Sequence, residues 1–238
     1  MIKLSEKNQI IVRNKYYPDG LRENDAVIFH HKNKETILNE VGKNKIVLCI
    51  ATDVNKYVIV RKIKNEELRL NRENFDYLIH PRVISIFKEI SPVTNEWCID
   101  IDAGKNTDEY DIKVAVQKTL DIFDELYELG WIKNKNYRIT NTSTGYHVFG
   151  YLTQRNTNFR NYEMAKNVFE KLRNEYSKSR GDSDISIDLS VMKPRGCHIV
   201  VGSLNRNGLA CLDISNKWKS FNRKSAIIKT PNAKEGIK

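Results

Sequence analysis

The sequence predicts an α+β protein whose second half runs strand, helix, strand, strand, helix, strand. Two observations carry that expectation. Short segments rich in Ile, Val and aromatic residues alternate with stretches whose apolar residues recur at helical spacing. The chain has 238 residues, 40% hydrophobic and 29% charged, enough for one large domain or two interlocked lobes.

The elements follow in order. Residues 1–44 carry mixed signals, with Tyr16-Tyr17-Pro18-Asp19-Gly20 marking a turn. Residues 46–50 and 57–63 read as a hairpin that turns at 53–56. Residues 66–90 read as helical in parts, with a break before Pro81. Residues 97–102 are a clear strand, and 103–106 turn the chain. Asp108 is placed to cap a helix running to Leu129, with Ile112, Val116, Leu120, Phe123 and Tyr127 as its apolar stripe and Gly130 to end it. Strands are expected at 137–140 and 147–152. A helix is expected over 159–176, with Tyr162, Val168, Phe169 and Leu172 on its core side. Residues 185–189 and 199–201 read as short strands, and 209–214 is placed to close the sheet. From Asn216 the chain turns polar and basic, and 231–238 reads as a tail or linker. The later half is therefore a split pattern close to ferredoxin-like folds. No internal repeat is found.

The net charge of +10 and pI of about 9.3 favour a polyanionic partner through counterion release. No apolar run approaches the roughly 20 residues of a membrane span, and the N-terminal MIKLSEKNQI has no secretory h-region, so a cytoplasmic protein is expected. Cys49, Cys98, Cys197 and Cys211 form no C-x-x-C pair, and no zinc site is expected. Cys197 and His198 are adjacent, so on a strand they point to opposite faces.

Three constellations carry chemistry. In Trp97-Cys98-Ile99-Asp100-Ile101-Asp102, strand alternation puts Ile99 and Ile101 on one face and Asp100 and Asp102 on the other. Two neighbouring carboxylates repel unless a divalent cation neutralises them, so the pair signals either a metal site or a solvated strand face. Ile185-Ser186-Ile187-Asp188-Leu189 offers a third carboxylate in the same style, with Asp182 and Asp184 as nearby loop or capping residues. Three carboxylates can hold two divalent ions, which activate a 3′-hydroxyl and stabilise leaving pyrophosphate. The second constellation is Thr142-Ser143-Thr144-Gly145-Tyr146-His147, a hydroxyl-rich turn entering a strand. Its Ser143 and His147 can meet phosphate oxygens, and Gly145 allows close approach. The third is Lys193-Pro194-Arg195-Gly196-Cys197-His198 followed by Gly202-Ser203-Leu204-Asn205. It supplies cations for a triphosphate, or is a basic surface hairpin.

Asp-x-Asp, then Ser-x-x-x-His, then hydrophobic-Asp before a basic strand resembles the archaeo-eukaryotic primase superfamily, of the primase-polymerase type. The resemblance covers roughly residues 97–212. It implies a two-lobed catalytic core: an N-terminal α/β unit at about 1–95 and a unit resembling an RNA-recognition motif at about 96–215, followed by a polar tail or linker at 216–238. By the same resemblance Asp100, Asp102 and Asp188 are the catalytic metal ligands, for two Mg²⁺ or Mn²⁺ ions. Ser143, Gly145, His147, Lys193, Arg195, His198 and Ser203 bind the nucleotide. Many relatives carry an arginine near the position of His198. The N-terminal region aligns poorly, and His30, His31, His80, Arg82 and Asn205 are candidates for template or nucleotide contacts. The implied activity is template-directed DNA primase or polymerase chemistry on single-stranded DNA with dNTPs or NTPs, by a monomer or one domain of a longer chain. A CRISPR-associated subfamily is one setting.

Two other readings stand at this stage. Thr144 to Tyr151 resembles the aromatic strand of an RNA-recognition motif, in which Tyr146, Phe149 and Tyr151 would stack on bases or fill the core. A two-metal nuclease also uses clustered carboxylates.

Overall fold

In the computed structural model the chain passes between two units four times, after residues 89, 198, 212 and 222. Residues 8–104, 107–142, 144–178 and 185–228 are described. Unit 1 comprises the described parts of Met1–Glu89, Ile199–Leu212 and Arg223–Lys238. Unit 2 comprises those of Ile90–His198 and Asp213–Asn222.

Unit 1 begins with an antiparallel pair, β1 (Ile10–Asn14) and β2 (Tyr17–Arg22). The turn falls earlier than expected, because Asn14 Oδ1 accepts from the amides of Tyr16 and Tyr17 and reverses the chain there. Two helices follow, α1 (Glu23–Lys32) and α2 (Lys34–Val41). Then come β3 (Ile46–Asp53), β4 (Lys56–Val60), the short β5 (Lys62–Ile63) and β6 (Glu66–Glu67), α3 (Phe75–Leu78) and β7 (Val83–Glu89). β3 lies between β7 and β4, antiparallel to both. Its Ile46-Val47-Leu48-Cys49 run is wholly buried, as suits a central strand covered on both faces. The helical reading of 66–90 fails except at Phe75–Leu78. The β-branched Val83-Ile84-Ser85-Ile86 run pairs with β3 instead, and cross-strand packing outweighs local propensity. The core gathers Ile37, Val41, Leu48, Phe75, Val83 and Ile86.

Unit 2 comprises β8 (Val93–Ala103), α4 (Glu109–Glu128), β9 (Arg138–Asn141), β10 (Tyr146–Thr157), α5 (Asn158–Val168), α6 (Glu170–Lys178) and β11 (Ile185–Asp188). Its sheet is antiparallel throughout, ordered β11-β8-β10-β9. β12 (Cys197–Ile199) returns the chain to unit 1. Asp108 caps α4 by accepting from Asp111 N at 2.8 Å. Past its end Gly130 takes a left-handed φ of 76°.

The buried stripe of α4 is Ile112, Val116, Thr119, Phe123 and Leu126, in steps of four and three. Leu120 and Tyr127, which the sequence put in the stripe, lie at its margins; Tyr127 is 37% exposed. Two successive steps of four, as from Ile112 through Val116 to Leu120, drift around the helix, whereas alternating steps of four and three stay on one face. The expected second helix is two helices with a joint at Phe169. That ring is fully buried against Trp97 and Phe123, at centroid distances of 6.3 and 5.7 Å.

Residues 209–214 do not add a strand. Asp213 makes an isolated bridge to Thr140, and Ile214 N donates to Ile139 O at the β9 edge, while Leu209 to Leu212 belong to unit 1. No described helix is long and apolar enough to cross a membrane.

A Cβ built on Gly150 would stand 2.9 Å from the Phe123 ring, so the glycine is what lets α4 seat on the sheet. Gly150→Ala is expected to lower stability by about 1–3 kcal/mol through overpacking, read from thermal or urea denaturation.

Candidate functional site

Register, more than any one residue, builds the site. Asp188 pairs with Asp100, Asp100 with His147, and His147 with Thr140, so these four stand in one row across β11, β8, β10 and β9. Directly paired residues share a face. Asp102 lies one step along that face opposite Ser186, and Cys98, Phe149 and Arg138 form the next row on the other side. The opposite face carries Trp97, Ile99, Ile101, Val148, Ile139 and Ile187, all buried, and α4 packs there through Phe123 on Gly150. The strand alternation that buries the isoleucines therefore gathers the carboxylates.

The row runs from half-buried Asp188 and Asp100 to buried His147 and Thr140, and is incompletely bonded. His147 Nε2 is 3.5 Å from Asp100 Oδ1, beyond good hydrogen-bond length. Asp100 Oδ1, His147 Nδ1 and Thr140 Oγ1 are buried with no hydrogen-bond partner among the described residues. Each such group costs on the order of 1–3 kcal/mol, and three in adjacent positions suit a face completed by a polar ligand. Asp102 accepts from the Thr144 hydroxyl at 2.6 Å. Its carboxyl is held above the ordinary range, chiefly by burial and then by the charge of Asp100. The Thr144 hydrogen bond and His147 oppose this, and Asp188 adds a smaller repulsion.

The turn into β10 lies hard against β8. A Cβ at Gly145 would overlap the carbonyl oxygen of Ile101 at 1.7 Å. Gly145 N donates to Thr142 Oγ1 and Thr142 N to Gly145 O, both at 2.9 Å, which closes the turn. Ser143, a predicted phosphate contact, lies outside the described residues, as do Asp182 and Asp184.

Asp188 closes β11 and accepts from Ser190 N at 2.7 Å and Ser190 Oγ at 2.8 Å, which starts a tight turn through Met192. Lys193 is exposed and lies over the Tyr162 ring at 5.0 Å; Arg195 is exposed with a left-handed φ of 65°. His198 is 1% exposed, and its ring centroid is 5.1 Å from that of Phe149 and 6.0 Å from that of His147. It thus adjoins the row, whereas Lys193 and Arg195 sit on the loop beside it in sequence.

Ser203 and Asn205 belong to unit 1 and are structural there. Ser203 is fully buried; its hydroxyl accepts from Ile86 N at 2.8 Å and lies 3.3 Å from His30 Nε2. Asn205 Oδ1 holds a turn by accepting from the amides of Asn207 and Leu209. The nucleotide role expected of Ser203 does not fit a hydroxyl that is buried and bonded on both sides. His30 is likewise enclosed, and burial pushes its pKa down to about 3. Arg82 pairs with Glu23 at 2.9 Å, and its amide donates to His80 Nδ1 at 3.3 Å.

Sequence reasoning missed Thr140, Thr144 and Arg138. Arg138 lies 5.0 Å over the Phe149 ring and 3.6 Å from Asp213. Only Thr144, inside the hydroxyl-rich turn, carried a signal. Of the three aromatic residues of β10, two fill the core: Tyr146 is buried on the opposite face, bonded through its hydroxyl to Glu109, and Phe149 is fully buried with Ile90, Cys98 and Val191, while Tyr151 is half-buried. Neither of the two buried rings is open to a base.

No family model matches this chain, and no curated protein matches it. A solved structure does. The fold is similar to that of the polymerase domain of ligase D from Mycobacterium tuberculosis, solved in complex with DNA. The TM-score is 0.68 over 92% of this chain and 88% of that one, at 11% sequence identity. At that identity the likeness is one of fold.

Among the described residues no three Asp, Glu, His or Cys side chains converge as a ready metal cluster. The donor set nevertheless fits a divalent cation. Asp100 and Asp102 share a face, Asp100 has an unbonded buried oxygen, and each carboxylate raises the cost of ionising Asp102. Because the folded pKa of Asp102 is raised above its ordinary 3.8, its stabilising contribution is complete below that value and is lost as pH rises through the folded pKa. Asp102→Asn is therefore expected to raise the metal-free melting temperature at pH 7, with the gain vanishing near pH 4. Melting curves across that range check it.

Proposed function

We propose that this chain is a metal-dependent nucleotidyltransferase of the primase-polymerase type, extending a nucleic-acid strand on a single-stranded template. The observation that carries the reading is the row Asp188–Asp100–His147–Thr140 with Asp102 beside it, which sets anionic ligands next to a buried histidine and hydroxyl on one sheet face. The similarity of fold to the ligase D polymerase domain and the net charge of +10 support it.

In this reading the 3′-oxygen of the strand bonds to the α-phosphorus of a nucleoside triphosphate as the bond to pyrophosphate breaks and the hydroxyl proton is lost. Asp100 and Asp102, with Asp188, would hold Mg²⁺ or Mn²⁺. When bound, the ions lower the pKa of the attacking hydroxyl and offset charge on the phosphates. His147 and Thr140 would offer hydrogen bonds to phosphate oxygens, using groups that are otherwise unbonded. Ser143 and Thr144 would bring further hydroxyls, and Gly145 keeps the β10 turn against β8. His198 would stand behind His147, and Lys193 and Arg195 would supply positive charge from the loop. The arrangement works mainly by positioning and electrostatics.

The test is nucleotide incorporation on a single-stranded DNA template with Mg²⁺ or Mn²⁺, with and without a primer. Asp100→Ala is expected to lower incorporation by at least about a hundredfold while leaving the melting curve cooperative. Activity equal to wild type would remove the assignment. Products without a primer identify a primase; products only with one identify an extending polymerase; metal-dependent shortening of the template identifies a nuclease instead. His147→Ala is expected to weaken triphosphate binding by about tenfold in calorimetry, the loss of a hydrogen bond to a charged group.

A further inference from the structure

Unit 2 has a second feature at the far end of its sheet. Six or more residues beyond His147 on β10, roughly 20 Å along the strand, an open cleft of about 410 Å³ is lined by Trp131, Thr153, Gln154, Asn156, Arg160 and Met164, among others.

The cleft is built to present its indole. Trp131 follows Gly130, the residue that turns the chain out of α4. Trp131 O accepts from Thr153 N at 2.9 Å, Lys133 N donates to Tyr151 O at 2.7 Å, and Ile132 bridges to Leu152. Backbone pairing with residues 151–153 thus fixes the position of Trp131, a residue 43% exposed while Trp97 is fully buried. Phe159 is exposed nearby in sequence to Arg160, at 64%, and Leu129 at 70%. Large exposed apolar side chains on a rigid frame mark an interaction surface.

The polar lining identifies the partner. Gln154 and Asn156 bring amide groups, Thr153 a hydroxyl and Arg160 a guanidinium, and no described lining residue is acidic. Lys133 and Arg155 are exposed on the same two backbone segments. An exposed indole, amides and cations without carboxylates complement a nucleobase with its phosphates, since bases stack on aromatic rings and guanidinium groups pair with phosphate. We propose that this cleft is a binding site for single-stranded nucleic acid, with a base stacked on Trp131 and an adjacent phosphate on Arg160. The site needs no metal and is separate from the carboxylate row. A strand held there would be anchored away from the reacting end.

The experiment uses the full 238-residue chain and a fluorescently labelled thymidine oligonucleotide, with EDTA present, so that the outcome is independent of nucleotidyl transfer. Trp131→Ala is expected to weaken binding about tenfold, and Trp131→Phe to retain most of the affinity. Arg160→Gln is expected to reduce the slope of log affinity against log salt by about one. Unlabelled oligonucleotide should quench tryptophan emission in the wild type, and the quench should be lost in Trp131→Phe. Wild-type affinity in a cooperatively melting Trp131→Ala protein overturns the proposal. So does an oligonucleotide that binds without quenching, or one that does not bind the wild type at all. A wild-type protein that binds the oligonucleotide with quenching yet incorporates no nucleotide would count against the nucleotidyltransferase reading alone.

Discussion

The antiparallel register of β8 with its two neighbours is the constraint on which the rest of unit 2 depends. Ile101 opposite Ile187 and Tyr146, and Ile99 opposite Val148, bury one face completely. A one-residue slip would send those side chains to the other face, so hydrophobic burial fixes the register. The same register then forces Asp188, Asp100 and His147 into line. The stabilisation lies on the covered face, and the electrostatic strain lies on the site face.

That strain has a local signature. Asp102 resists ionisation because it is buried and because Asp100 and Asp188 repel it. Asp100, His147 and Thr140 each hide a polar atom with no described partner. A sheet face left this way is poor as a structural element, and the proposed function gives it a cation and phosphates to receive. Local disagreement with packing rules is the pattern expected where structure yields to function. In unit 1 the buried Ser203 hydroxyl is bonded internally, accepting from Ile86 N and lying within reach of His30 Nε2.

Unit 2 thus has two chemically different ends. One carries acidic and imidazole groups around Asp100; the other carries Trp131, amides and arginine on exposed backbone. β10 spans both, from His147 to Asn156, and its pairing with β8 breaks after Tyr151 and resumes only at Asn156, opposite Thr94. Thr153 and Gln154, which line the cleft, lie in that interruption, where the strand departs from a flat sheet.

The sequence by itself determined the order of elements in unit 2, the cap at Asp108, the helix end at Gly130 and the sidedness of Asp100 and Asp102. Each follows from local spacing or from a residue's own backbone preference. It could not determine the fate of 66–90, where pairing with β3 made a strand of Val83–Glu89, nor the buried face of α4, where Thr119 and Leu126 replaced Leu120 and Tyr127. It could not separate Ser203, a buried strut, from His147, a member of the row, because both look like polar residues within two positions of a glycine. Thr140, Arg138 and the Trp131 cleft carried no motif at all. Their roles come from cross-strand neighbours many residues away, and tertiary structure alone decides which distant residues meet.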